Sequence, residues 1–137
     1  MKYRFLFCNV IFFFFCYGCQ RMALKEKITR AYYLTAADVL DQCALSYNYS
    51  EEEGCFVIVP RTVFAVGFND NYIIVKQHPD NNKKHTNYFI VPICTSDSID
   101  IISSAIGLLT LNEFNAKKQE LKIPENLTFT IIKKALQ

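Results

Sequence analysis

Glycine is scarce in this chain, with four in 137 residues. That leaves no Gly-rich loop of the kind that cradles phosphate, because backbone amides approach an anion closely only where side chains are missing. No Gly-x-Ser-x-Gly elbow occurs either. A nucleophilic site would need a Ser or Cys beside a base and a third group to orient it, and no such arrangement is readable. Histidine is scarcer still, with His78 and His85 the two present and Asp80 between them. A metal centre takes three or four matched ligands, each oriented by a second shell. Two histidines seven apart in an Asn- and Lys-rich loop do not supply one, so neither a metal nor a cofactor is expected. The acidic trio Glu51, Glu52 and Glu53 lacks the alternating oxygen ligands of a calcium loop and reads as a solvated turn.

An excess of one charge is also missing once the N-terminus is set apart. The chain carries 15 basic and 13 acidic residues, and Lys2 and Arg4 belong to the opening segment, which leaves 13 of each. A balanced domain offers no basic stripe for a phosphate backbone, so nucleic acid is excluded as a partner.

The opening segment itself is distinctive. Two cations precede an apolar run from Phe5 to Tyr17 that holds seven aromatics and is interrupted by Asn9. Thirteen residues cover about 20 Å, against about 30 Å of bilayer hydrocarbon. The pattern is that of an export signal over residues 1–18. Gly18 and Cys19 resemble the end of a bacterial lipobox, in which the cysteine receives a diacylglyceryl group, although Cys16 and Tyr17 depart from the residues usual there. The resemblance implies lipid attachment at Cys19 and a membrane partner reached through that anchor, since two or three acyl chains hold a protein stably where one does not. Cleavage after Gly18 without lipidation would instead release a secreted protein. Residues 19–30 are polar and charged and read as a tether, leaving 31–137 as a single small domain.

Within that domain the period is two. Cys43, Leu45, Tyr47 and Tyr49 alternate with polar residues, the mark of a half-buried strand. Cys55–Val59 is a short strand stopped by Pro60. Thr62–Phe68 and Tyr72–His78 flank Asn69-Asp70-Asn71, the clearest hairpin in the chain. Pro79–His85 is a polar loop, and Thr86–Ile93 the returning strand. Thr110 and Glu113 form a capping box, Leu109 and Phe114 a hydrophobic staple, and a helix is expected over 111–121, ended by Pro124. A second box, Thr35 with Asp38, predicts a short helix through Leu40. Leu127–Ile132 is a candidate final strand. The fold class is therefore α+β, mainly β: an antiparallel β-meander of four to six strands covered by one C-terminal helix and preceded by a signal peptide. Cys43, Cys55 and Cys94 allow three pairings or none, with Cys43–Cys55 the most local.

The run from Val63 through Val66, Phe68, Asn69, Asp70, Tyr72, Ile73, Ile74, Lys76, Gln77, His78 and Pro79 resembles a recurrent core of small bacterial lipoproteins classed as carrying a domain of unknown function. Tyr88, Phe89 and Ile90, then Gly107, Leu109, Thr110, Glu113 and Phe114, extend the resemblance over roughly 43–123. It departs at Asp97–Ser104 and at Leu108, where the family more often has proline. The resemblance implies a lipid-anchored envelope protein with an antiparallel sheet and one helix. Two functions fit: a non-catalytic binding or structural module, including one that neutralises a toxin, or an envelope enzyme whose site residues are scattered. His78, His85, Tyr72 and Tyr88 are the candidate contact residues for an envelope protein partner. A pocket gathering a histidine with a carboxylate would favour the enzyme, and an exposed aromatic face the binder.

Overall fold

A computed structural model describes residues 22–50, 54–93 and 99–137, so the leader, Cys19, Glu51–Glu53 and Cys94 lie outside the described residues. The fold is mainly antiparallel β with one α-helix. Among the described residues nine strands form two sheets rather than one meander. The first is β1 (Leu24–Thr29), β2 (Tyr32–Ala36), β3 (Ala44–Ser50) and β4 (Gly54–Val59), paired in that order. The second comprises β5 (Val63–Phe68), β6 (Tyr72–Gln77), β7 (Asn87–Pro92), β8 (Ile106–Leu109) and β9 (Ile131–Ile132), in the spatial order β8-β7-β6-β5-β9.

The split has a compositional cause. Strand β6 reads Tyr-Ile-Ile-Val, apolar at successive positions, which suits a strand covered on both faces. Ile73 and Val75 face the first sheet, joining Leu34, Leu45, Cys43 and Tyr32 in the main core. Ile74 points the other way, with Ile90 from β7, and packs under Phe114, Ile123 and Leu127. The helix α1 (Leu111–Glu120) thus covers the outer face of the second sheet alone, while the two sheets cover each other.

Residues 24–29, read from their charges as tether, instead form β1. Lys25 and Lys27 alternate with Glu26 and Ile28, and Ile28 is buried while its neighbours stay wet. Polar spacing at period two is compatible with an edge strand, and here the pairing with β2 decides. The helix expected after Thr35 is absent. Thr35 is a β2 residue whose hydroxyl bonds that of Ser46 at 2.7 Å, and a 3-10 turn at Leu40–Gln42 follows without a side-chain cap.

The capping box at Thr110 and Glu113 is formed as expected, with the Thr110 amide donating to the Glu113 carboxylate at 2.8 Å. The stop is not Pro124. Lys122 takes φ 53, the Ile123 amide donates back to the Lys118 carbonyl at 2.9 Å, and the Lys122 amide donates to Gln119 at 3.0 Å. That is a Schellman closure with lysine where glycine is usual. Glycine scarcity recurs as positive φ at Arg30, Asp80, Asn81 and Leu108, each at a cost of about 1–2 kcal/mol. Leu108, at φ 58, occupies a conformation proline's ring forbids. Gly67 is required for a different reason: a Cβ there would sit 2.0 Å from the Thr128 carbonyl oxygen, where the last segment crosses β5.

The strand directions give the two sheets a near end and a far end. Leu24 pairs with Ala36, Thr35 with Ala44 and Leu45 with Val59, so β1 starts, β2 ends, β3 starts and β4 ends at the near end. The Val63 amide donates to the Cys43 carbonyl at 2.8 Å, which brings the start of β5 there as well. The β1–β2 turn, the paired residues Ser50 and Gly54 of β3 and β4, and the Asn69–Asn71 turn lie at the far end.

Candidate functional site

Two regions are candidates, one at each end. At the near end the 3-10 turn Leu40–Gln42, the β4–β5 connection and the loop after β6 come together. The backbones of Thr62 and His78 exchange both amide–carbonyl bonds, at 3.0 and 2.9 Å. The Thr62 hydroxyl donates to the Asp41 carbonyl at 2.7 Å, and the Asn81 amide to the Asp41 carboxylate at 3.1 Å. The buried side chain of Gln77 donates to the carbonyls of Pro60 and Arg61 at 3.0 and 3.1 Å and accepts from Asn87 at 3.1 Å. These bonds leave a pocket of about 200 Å³ lined by Val39, Asp41, Gln42, Arg61, Asp80 and Asn81 together with Thr62. It is below the roughly 300 Å³ from which ligand pockets usually start, and it contains no histidine.

His78, expected at the surface, is buried. Its ring stacks on Phe64 with centroids 4.0 Å apart, and its Nδ1 lies 2.8 Å from the His85 carbonyl. A carbonyl only accepts, so Nδ1 carries the hydrogen and the imidazole pins loop 79–85 to the core. The reason is positional: Gln77 and His78 continue β6 into the bridge with Thr62, which places the ring inside. His85 is exposed and contributes its carbonyl to that bond. Tyr72 and Tyr88 are half-buried against the helix-side core, and the Tyr88 ring lies 5.0 Å from that of Phe114. The structure therefore does not bring the four predicted residues together. Among the described residues, no group of three metal-ligating side chains gathers.

Cys43 and Cys55 are both free thiols, so the most local disulfide is not formed. Cys43 is fully buried, and burial pushes its thiol up from 9.0 to about 11, against a lowering by the Lys133 ammonium and with a smaller raising by Glu26. Cys55 is exposed on β4.

The far end holds the region that motif reading passed over. Strand β2 stops pairing with β3 at Tyr32–Tyr47, and the Asn48 amide donates to the Ala31 carbonyl at 2.8 Å. Beyond that level β3 and β4 continue as a two-stranded projection with Asn48 opposite Cys55 and Ser50 opposite Gly54. Tyr49 is 45% exposed on that projection, and Phe56 and Val57, opposite Tyr47 and Ser46 at its base, are 43% and 52% exposed. Among the described residues no strand pairs with the outer side of β4. The sequence signal was present in Gly-Cys-Phe-Val-Ile-Val, a strand without a single charge. The other edge of the same sheet, β1, carries Lys25, Glu26 and Lys27, the kind of residues that block unwanted pairing.

The family described as protein of unknown function (DUF3997) matches residues 29–133. The chain belongs to that family. No curated protein and no solved structure matches it. The DUF3997 match takes in β2 through β9 and the helix, and it therefore includes both the near-end pocket and the bare β4 edge. β1 falls almost wholly before it. No helix among the described residues is long and apolar enough to cross a membrane.

Proposed function

We propose that this protein is an exported, lipid-anchored binding module of the bacterial envelope, and that it captures an extended polypeptide segment as a fifth strand beside β4. The observation that carries the reading is the contrast between the two edges of one sheet. β1 is guarded by three charges, whereas β4 is uncharged and exposes Phe56 and Val57 beside Tyr49. An unguarded edge of six residues invites pairing with any chain that presents free amides and carbonyls. Strand addition uses that row for affinity and alternate side chains for selectivity. The occupant that fits is an extended, uncharged segment with apolar residues at alternate positions. Each net hydrogen bond gained contributes about 0.5–1.5 kcal/mol, so four or five of them contribute roughly 2–7 kcal/mol, to which partial burial of Phe56 and Val57 adds and which the lost freedom of the bound segment offsets. A toxin neutralised at the envelope is one protein that could present such a segment. Export is supported by the cationic, aromatic leader, and the anchor by Gly18-Cys19.

The test is site-specific photocrosslinking in intact cells, with the reactive side chain placed at Val57 on β4 or at Lys27 on β1. The expected result is a discrete adduct from position 57 alone, with the crosslinked peptide of the partner extended and uncharged. The purified partner should then lose at least tenfold in affinity on Phe56→Lys, while circular dichroism stays unchanged. Adducts only to a second copy of this chain, or equal labelling from both edges, would overturn the proposal.

A further inference from the structure

The near end has a bearing on the membrane, given the lipid anchor just proposed, on which the inference rests. The Ala23 amide donates to the Ala37 carbonyl at 2.9 Å, so the chain is already tied to the first sheet at that residue. From Cys19 to Ala23 there are four Cα–Cα steps, spanning at most about 14 Å. A lipid on Cys19 therefore holds the near end within about 14 Å of the bilayer, with no length left for the domain to turn over.

We infer that the near end is a membrane-facing surface that rests on a zwitterionic phospholipid headgroup layer. The groups at this end fit that partner. Met22 and Val39 are apolar and 41% and 54% exposed, suited to the headgroup boundary. Arg61 and Lys84 are exposed cations, and Asp38, Asp41 and Asp80 exposed carboxylates. A surface mixing both signs complements headgroups that carry a phosphate and an ammonium, whereas attraction to anionic lipid requires a cluster of cations without interspersed acids. The pocket lined by Asp41, Arg61 and Asp80 opens at the same end. Loop 79–85, which carries the candidate contact residue His85, is thereby turned toward the lipid. The hairpin β3–β4 points the opposite way. Seven residues from the level of Cys43 to Ser50 raise its tip, and the Gly54 end of the β4 edge with it, about 23 Å above the near end.

The test uses the lipidated full-length chain in phosphatidylcholine vesicles. A photoreactive benzophenone amino acid is introduced in place of Val39 and, in a second variant, in place of Asp70 in the far-end turn; both sites are exposed, so neither variant disturbs the core. After illumination, lipid adducts from position 39 should exceed those from position 70 by at least tenfold. Vesicle flotation is read on the same samples. Protein that floats yet labels lipid equally from both positions, or more from 70, overturns the orientation and leaves the anchor standing. Protein that does not float overturns the anchor and the orientation with it.

Discussion

Replacing Phe114 by alanine removes the sole buried residue of α1, and its cost can be worked from the packing. The side chain is 3% exposed and sits on Ile74 and Ile90, with ring centroids 5.0 Å from Tyr88 and 6.1 Å from Phe129. Truncating a buried phenylalanine costs about 3–5 kcal/mol, transfer and cavity together. The other supports of the helix are small. The capping box is worth about 1 kcal/mol, and the exposed Lys117–Glu120 pair at 2.6 Å a few tenths. Ten residues do not hold a helix in water unaided, so α1 should fray once Phe114 is gone. Urea unfolding followed by far-UV circular dichroism and tyrosine fluorescence reads both effects, the chain having no tryptophan. Phe114→Ala should lower the unfolding free energy by about 3–5 kcal/mol, and Phe114→Leu by under about 1.5 kcal/mol. Leu111→Ala, at a residue 51% exposed, should fall within about 0.5 kcal/mol of the parent. A loss under about 1 kcal/mol for Phe114→Ala, or an equal loss for Leu111→Ala, would refute the idea that one side chain pins the helix.

Three further outcomes are expected. In native protein, iodoacetamide at pH 8 should label Cys55 within minutes and leave Cys43 unlabelled until denaturant is added, as mass spectrometry of tryptic peptides would read; comparable labelling of both would contradict the burial of Cys43. The same thiol fixes a sign: its folded-state value of about 11 lies above the ordinary 9.0, so its contribution is intact below pH 9 and is lost as the pH climbs toward 11, and Cys43→Ala should flatten that part of the stability profile. Gly67→Ala should lower the melting temperature by about 8 °C or more, corresponding to at least about 2 kcal/mol, because the new Cβ meets Thr128 backbone at 2.0 and 2.8 Å, which cannot swing aside as a side chain can; unchanged melting would mean that the 124–130 segment does not cross β5 there.

The legible parts of the fold were those written in local chemistry. Asn69 accepts from the amides of Asn71 and Tyr72 at 2.9 and 2.8 Å, so the hairpin turn follows from one side chain. Thr110 and Glu113 likewise close their box within four residues. What stayed hidden depends on partners distant in sequence. Lys25-Glu26-Lys27 becomes a strand because β2 pairs with it, and Lys133, 107 positions away, bonds Glu26 from the other end of the chain. The division into two sheets is decided where Ile73 and Ile74 face opposite cores, a distinction that a continuous apolar run conceals. His78 read as a candidate surface contact because the loop that follows it in sequence is polar, whereas its neighbours in space are Phe64 and a carbonyl. The β4 edge carried no motif at all, since its information is a lack of charge on a strand whose outer side is unpaired among the described residues.

The formation of β1 so close to Cys19 also bears on how long the protein would stay where it is placed. Proteases cut chain that fits extended into their clefts, which in folded proteins means loose termini and loop tips. Here the backbone is tied down at Ala23 and paired from Leu24 onward, so that on the anchored reading proposed above Gln20, Arg21 and Met22 would be the whole stretch between Cys19 and the fold. On that reading three residues would be too short a stretch to fill a protease cleft, and release of the domain would wait until β1 had peeled away from β2. Shedding would thereby be coupled to local unfolding, and the residence time of an anchored protein would be a property of its first strand.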